Sequence, residues 1–436
     1  MDYLVSGTVI TDGEIRQDQV LAIKDGKIAF SGPASACDVN LYPRAETIRT
    51  PDGGAVLPGL VDMHCHGAAG GDFPAGHEAE SRNAVSFLRS SGTTTLLASV
   101  VTAPKDDLLK AIRSLRVVAD EGLIAGIHAE GPFLSHSRCG AQDPRWLLEP
   151  DLEFLSALVA EAGGHLKTMT YAPELPGSDE LVSTLVSSGV IPSLGHTDSD
   201  ARTAAVSLEY AAGRLGSSSL RGARPTVTHL FNGMPPMHHR APGPVAACLR
   251  LARAGTVAVE LIADGVHLDP ETVRMVFELV GANNVVLVTD SMAATGLPEG
   301  EYQLGPAQVS VVGYVATLTS TGSLAGGTAT LLDVVRRTIA AGVSAADAVL
   351  AATGTPARLL GLDGHVGSLR TGMQADLLIV DREFRLQTVL RHGVRLPSAR
   401  AGAPQPAARE DGSQAVSAAG WPAAQEDRNH NSRPQA

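Results

Sequence analysis

The chain has 436 residues, of which 44% are hydrophobic, enough for one large barrel with a substantial core and a smaller domain beside it. Its formal net charge of -12 argues against a nucleic-acid partner and confines any phosphate site to a local basic pocket. Four cysteines, Cys37, Cys65, Cys139 and Cys248, are widely spaced and lack a CxxC pair, which argues against a disulfide framework or a thiolate zinc site and fits a reducing cytoplasm.

The segment from Met1 to Gly7 has neither a basic start nor a long apolar core, and no later run is long enough to span a bilayer. The expectation is a cytoplasmic protein without a membrane partner. Residues 1–55 alternate β-type runs with the hairpin signals Asp12-Gly13 and Asp25-Gly26, and read as the first part of a small β-sandwich domain. From Val56 the pattern becomes strand followed by helix. Runs over 56–66, 93–100, 124–130, 167–173, 191–196, 226–231, 256–263 and 285–290 give eight strands, the number that closes a (β/α)8 TIM barrel, here assigned to residues 56–358. Helices are expected from Pro104 to Asp120 and from Asp179 to Ser188. A longer insertion containing Tyr302, Tyr314 and Gly322 precedes another helix that begins near Gly326, and a last one from Ser344 to Ala352 closes the barrel region. Residues 359–396 return to β-type sequence, with a turn at His392-Gly393, and are expected to join the N-terminal strands in one discontinuous β-sandwich domain, so that the fold class is α/β. Residues 397–436 are rich in Ala, Pro, Gln and Ser, with few large apolar side chains, and are expected to form a disordered tail.

The chemistry lies at the strand ends. His64 and His66 are two apart on a strand, so both project to one face, while Cys65 between them points the other way and packs. A lone strand histidine more often fills a core, but a His-x-His pair at the end of the first barrel strand favours a shared metal. Glu130, His196, His229 and Asp290 each end a different strand, as catalytic groups in a barrel do. Helix capping by the acids and packing by the histidines would explain any one of them, and explains all of them together poorly. A carboxylate such as Glu130 can bridge two divalent cations, with imidazoles completing the shells and a water activated between them. His128, two residues before Glu130, faces inward one layer deeper and reads as a support. Lys167 lies at the start of its strand, remote from the site, and His77, His165, His365, His392 and His430 carry no motif.

Through LVDMHCHG near the start of the barrel, and PARLLGL with GMQADLLIVD near its end, the chain resembles the amidohydrolase superfamily. Within it, HAEGPF, SLGHT, THLFNGM and ADGVH in that order resemble the N-acetylglucosamine-6-phosphate deacetylase family, over residues 1 to 396. The resemblance implies hydrolysis of an acetylated phosphosugar by a homodimer with one or two divalent cations per subunit, Zn2+ first, with Fe2+, Mn2+ and Co2+ as alternatives. It places Glu130, His196 and His229 as metal ligands and Asp290 as the catalytic acid-base group. Some members replace the His-x-His pair and hold one metal, whereas this chain keeps His64 and His66. For the sugar phosphate it implies Asn232, Gly233, Arg240 and His267, with Leu324 as a backbone contact and Arg240 serving a neighbouring subunit. Gln142 stands where several relatives place a histidine; it can hydrogen-bond substrate but cannot carry a proton. Two rivals remain: an amidohydrolase acting on a cyclic amide or another N-acyl amino sugar, and a catalytically silent barrel, which should have lost ligands that this chain retains.

Overall fold

Eight short apolar runs lie side by side as one parallel sheet: β1 (Leu60–Cys65), β2 (Thr93–Val101), β3 (Gly126–Glu130), β4 (Leu166–Tyr171), β5 (Ile191–Leu194), β6 (Thr226–Val227), β7 (Ala258–Leu261) and β8 (Val285–Leu287), each hydrogen-bonded to the next. The computed structural model describes residues 2–220 and 222–397, so the expected tail, apart from its first residue, and His430 lie outside the described residues. The sheet is drawn into a TIM barrel where its two edges meet: Cys65 and Ser291 form a parallel bridge, and the Asp290 N–H donates to the His64 carbonyl at 2.9 Å. Helices between the strands bury apolar stripes against the barrel. Lys105–Asp120, for example, buries Leu108, Ala111, Ile112, Leu115 and Val118 at helical spacing, and Leu331–Ala340 starts in a capping box between Thr330 and Asp333.

The sequence runs overreach several strands. His196, His229 and Asp290 take φ values of 47°, 27° and 49°, which ends the extended backbone just before each of them. The run over 56–66 is two strands. Ala55–Pro58 pairs antiparallel with Leu377–Val380 in the terminal sheet, and only Leu60–Cys65 enters the barrel. Gly59 makes the crossing, because a Cβ there would lie 2.1 Å from Thr94 Oγ1.

The terminal sheet unites both ends of the described chain. Tyr3–Thr11, Glu14–Lys24 and Lys27–Pro33 form a meander, joined through Ala55–Pro58 to Leu377–Val380, Leu386–Arg391 and Val394–Arg395. Its hairpins turn at Asp12-Gly13, Asp25-Gly26 and His392-Gly393, all with positive φ at both positions, as the twist of a two-residue hairpin demands. The insertion after β8 is a three-stranded antiparallel sheet, Gly300–Leu304, Ala307–Val312 and Val315–Leu318, with an apolar cluster that includes Leu304, Val309 and Met292. Among the described residues no helix is long and apolar enough to cross a membrane.

Candidate metal centre

Inward-facing residues of the barrel change from apolar to polar toward the C-terminal ends of the strands. A hydrogen-bonded chain crosses the interior: Ser99 Oγ to His128 Nδ1 at 2.9 Å, His128 Nε2 to Thr170 Oγ1 at 2.9 Å, Thr170 to Thr228 at 2.8 Å, and Thr228 to Ser193 at 2.6 Å. Burial, and the positive charge of His64 beside it, hold the His128 pKa well below the ordinary imidazole value, so it is a neutral member of this layer. Two positions farther along β3 the same face presents Glu130.

Six buried side chains converge there in two groups, His64, His66 and Asp290, and Glu130, His196 and His229. Glu130 Oε1 lies 2.9 Å from Nε2 of both His196 and His229, whose Nε2 atoms are 3.1 Å apart. Its other oxygen is 3.4 Å from His66 Nε2. Asp290 Oδ1 is 3.1 Å from His66 Nε2 and 3.5 Å from His64 Nε2, and those two nitrogens are 3.1 Å apart. Glu130 thus touches both groups, as a bridging carboxylate must.

The electrostatics are mutual. Burial opposes a charged Glu130, but hydrogen bonds from His196, His229 and His66 outweigh it and hold the carboxyl well below the usual range. Asp290 is likewise held down, against burial, by the charge of His64 and the hydrogen bond from His66. Burial opposes charge on His64 and His66 as well, yet the surrounding carboxylates raise them to about 9 and about 10. A divalent cation held there would compete with those protons and displace them.

The donor set fits such a cation. In each group two imidazole nitrogens and a carboxylate oxygen lie within 4.8 Å of one another, with the N/O chemistry of zinc and its divalent neighbours. The outer nitrogens fix which atom faces inward. His64 Nδ1 is 3.1 Å from Glu260 Oε2, and His196 Nδ1 donates to the Arg138 carbonyl at 2.8 Å, so in each it is Nε2 that faces the centre.

Residues 55–399 match the amidohydrolase family. The N-acetylglucosamine-6-phosphate deacetylase of Bacillus subtilis is 33% identical over 393 residues, 88% of this chain and 94% of that protein. The chain belongs to the N-acetylglucosamine-6-phosphate deacetylase family of amidohydrolases. The Vibrio furnissii member is 34% identical over 76% of this chain and 80% of its own. A solved structure of the Mycobacterium smegmatis N-acetyl-D-glucosamine-6-phosphate deacetylase, in complex with N-acetyl-D-glucosamine-6-phosphate, is 34% identical with a TM-score of 0.81, covering 91% of this chain and 99% of that one. The Thermotoga maritima enzyme follows at 28% identity and a TM-score of 0.76, covering 91% and 99%.

Of the other positions that the family resemblance singles out, some join the cluster and some do not. Gln142 is buried against it, donating to Glu130 Oε2 at 2.7 Å and accepting from the Thr102 N–H at 2.7 Å. Gly233 packs on His196, since a Cβ there would lie 2.9 Å from its Nδ1. Asn232 donates to the His229 carbonyl at 3.1 Å. The His267 side chain is buried, its Nδ1 2.9 Å from Asp264 Oδ2, while Asp264 also accepts from the Val266 and His267 N–H groups and its carbonyl from Arg337. Arg240 sits on an exposed loop with His238 and His239, its guanidinium against His239, and Leu324 is 38% exposed beyond the inserted sheet.

Sequence reasoning missed three carboxylates. Asp62, buried, accepts from Thr289 Oγ1 at 2.6 Å and from the His64 N–H at 3.1 Å, and burial pushes its pKa up to about 6 despite them. Glu260 and Asp264 support His64 and His267. The signals existed: Asp62 continues the two-residue period of His64 and His66, and Glu260 is the one charged residue within β7.

Proposed function

We propose that the protein hydrolyses the acetamide of N-acetyl-D-glucosamine 6-phosphate to D-glucosamine 6-phosphate and acetate, in cytoplasmic amino-sugar catabolism and cell-wall sugar recycling. The observation that carries the reading is the convergence of Glu130 and Asp290 with four imidazoles in a chain that matches deacetylases over most of its length. Glu130, His196 and His229 would hold one divalent cation and His64, His66 and Asp290 a second, with Zn2+ the ion best matched to the donors. When bound, such ions polarise the acetyl carbonyl and acidify the attacking water.

Asp290 takes the proton of the attacking water and returns it to the departing amine. Its carboxylate lies between His64 and His66, with one oxygen 3.1 Å from His66 Nε2. Gln142 holds Glu130 in place through its hydrogen bond to the second oxygen. Asn232, Gly233 and His267 border the sugar phosphate, and Leu324 makes a weaker contact through its backbone. Arg240, exposed on its own subunit, reaches the phosphate of a partner in a homodimer.

The test compares kcat/KM for acetate release from phosphorylated and unphosphorylated N-acetylglucosamine, with metal content measured on the same sample. Strong preference for the phosphosugar is expected; equal rates on both, or turnover only of a cyclic amide, would refute the substrate assignment.

A further inference from the structure

The two groups of ligands are supported unequally. Each contains one histidine whose outer nitrogen is paired and one whose outer nitrogen is buried without a hydrogen-bond partner among the described residues: His64 is paired and His66 is not, His196 is paired and His229 is not. The partner of His196 is a neutral backbone carbonyl, whereas the partner of His64 is the carboxylate of Glu260. Glu260 is 2% exposed, and its Oε2 also accepts the backbone N–H of His229 at 3.3 Å. One oxygen therefore reaches a side chain of the first group and the backbone of the second, at a residue whose φ is 27°.

A carboxylate can only accept, so it retains a proton on His64 Nδ1 and directs Nε2 toward His66 and Asp290 as the nitrogen that would meet a cation. It also makes the imidazole a stronger donor to a cation than a carbonyl partner would. Without Glu260 the ring of His64 loses its tautomer preference and its orientation, while Arg138 continues to orient His196. We infer that Glu260 is a positioning residue that sets the affinity of the His64, His66 and Asp290 group for its cation. The inference rests on the reading of the barrel mouth as a two-ion centre. It makes the second ion depend on a residue of β7 that touches no substrate and is not itself a ligand.

The experiment titrates metal-stripped full-length protein with Co2+, following both the heat of binding and the visible d–d absorption, and counts ions per chain by elemental analysis. His64→Ala identifies which binding event belongs to the His64, His66 and Asp290 group. Glu260→Gln keeps shape and an accepting oxygen but removes the charge; Glu260→Ala removes both, and circular dichroism of the stripped proteins reports folding independently of metal. Wild-type protein is expected to bind two ions, and Glu260→Gln to weaken only the event lost in His64→Ala, by about 10- to 100-fold. Glu260→Ala should weaken it further, with the other event changed less. Two ions bound by both Glu260 variants with wild-type affinity would overturn the proposal alone. Wild-type protein that binds no more than one ion would overturn the two-ion reading, and the proposal with it.

Discussion

The barrel mouth and the loop from Asn232 to Arg240 are separated by a few residues in sequence and organised on opposite principles. At the mouth every reactive group is buried and held by a neighbour from another strand, as Glu130 is by His196, His229 and Gln142. On the loop, Arg240 is exposed and rests against His239. Groups that do chemistry must be placed before substrate arrives, because electrostatic preorganisation is worth most in a dry site. A group that grips a phosphate can be supplied later, by substrate closure or by a second subunit. The loop joins the two regimes through Asn232 and Gly233, which already lean on His229 and His196.

The contrast orders the expected effects of substitution. Glu130→Gln should be the most damaging, since it weakens the residue that touches both groups: bound metal measured by elemental analysis should fall together with turnover. Full metal occupancy in that variant would contradict the bridging role. Asp290→Asn should retain at least the cation of the Glu130 group and lose on the order of 10²–10⁴ in kcat, the usual worth of a general acid-base group. Near-normal kcat in metal-loaded Asp290→Asn would remove Asp290 from the proton transfer.

Arg240→Ala should act on recognition alone. It should lower kcat/KM for the phosphosugar by the equivalent of roughly 1.5–3 kcal/mol per lost charged hydrogen bond, and leave slow turnover of unphosphorylated sugar and metal content unchanged. If the arginine serves a partner, mixing Arg240→Ala with Asp290→Asn protein should restore activity by complementation. The smallest effect is expected far from the site. Thr330→Ala breaks the capping box of the helix Leu331–Ala340 and should cost about 0.5–2 kcal/mol of stability in a denaturant titration, with kcat/KM unaltered. A kinetic effect there would mean that the mouth is coupled to its surrounding helices more tightly than the contrast allows.

Much of this was legible in residue order because the physics is local. Alternation put His64 and His66 on one face, and apolar runs ending in His or an acid marked the five strands whose ends bring together the two candidate groups. Strand ends were less legible. His196, His229 and Asp290 adopt positive φ, which nothing in the apolar runs announces and which shortens the strands they follow. The first run concealed a boundary, since Ala55–Pro58 and the Leu60-Val61 that follows are all apolar, and the crossing between two sheets falls at Gly59, which is crowded against Thr94. Partnerships across the barrel were least legible: Glu260 lies 196 positions from His64, and Thr289, whose hydroxyl donates to Asp62, lies 227 positions from it. Such pairs are created by closure of the sheet and have no short-range signature.

The most direct test of the account is acetate release from N-acetyl-D-glucosamine 6-phosphate by the same preparation before chelation, after chelation and after readdition of a divalent cation. The account predicts stoichiometric acetate and glucosamine 6-phosphate from the metal-loaded protein, loss of both on chelation, and recovery in proportion to the ions rebound. Metal-loaded, folded protein that releases no acetate from this substrate, or protein whose turnover survives complete removal of metal, would contradict it.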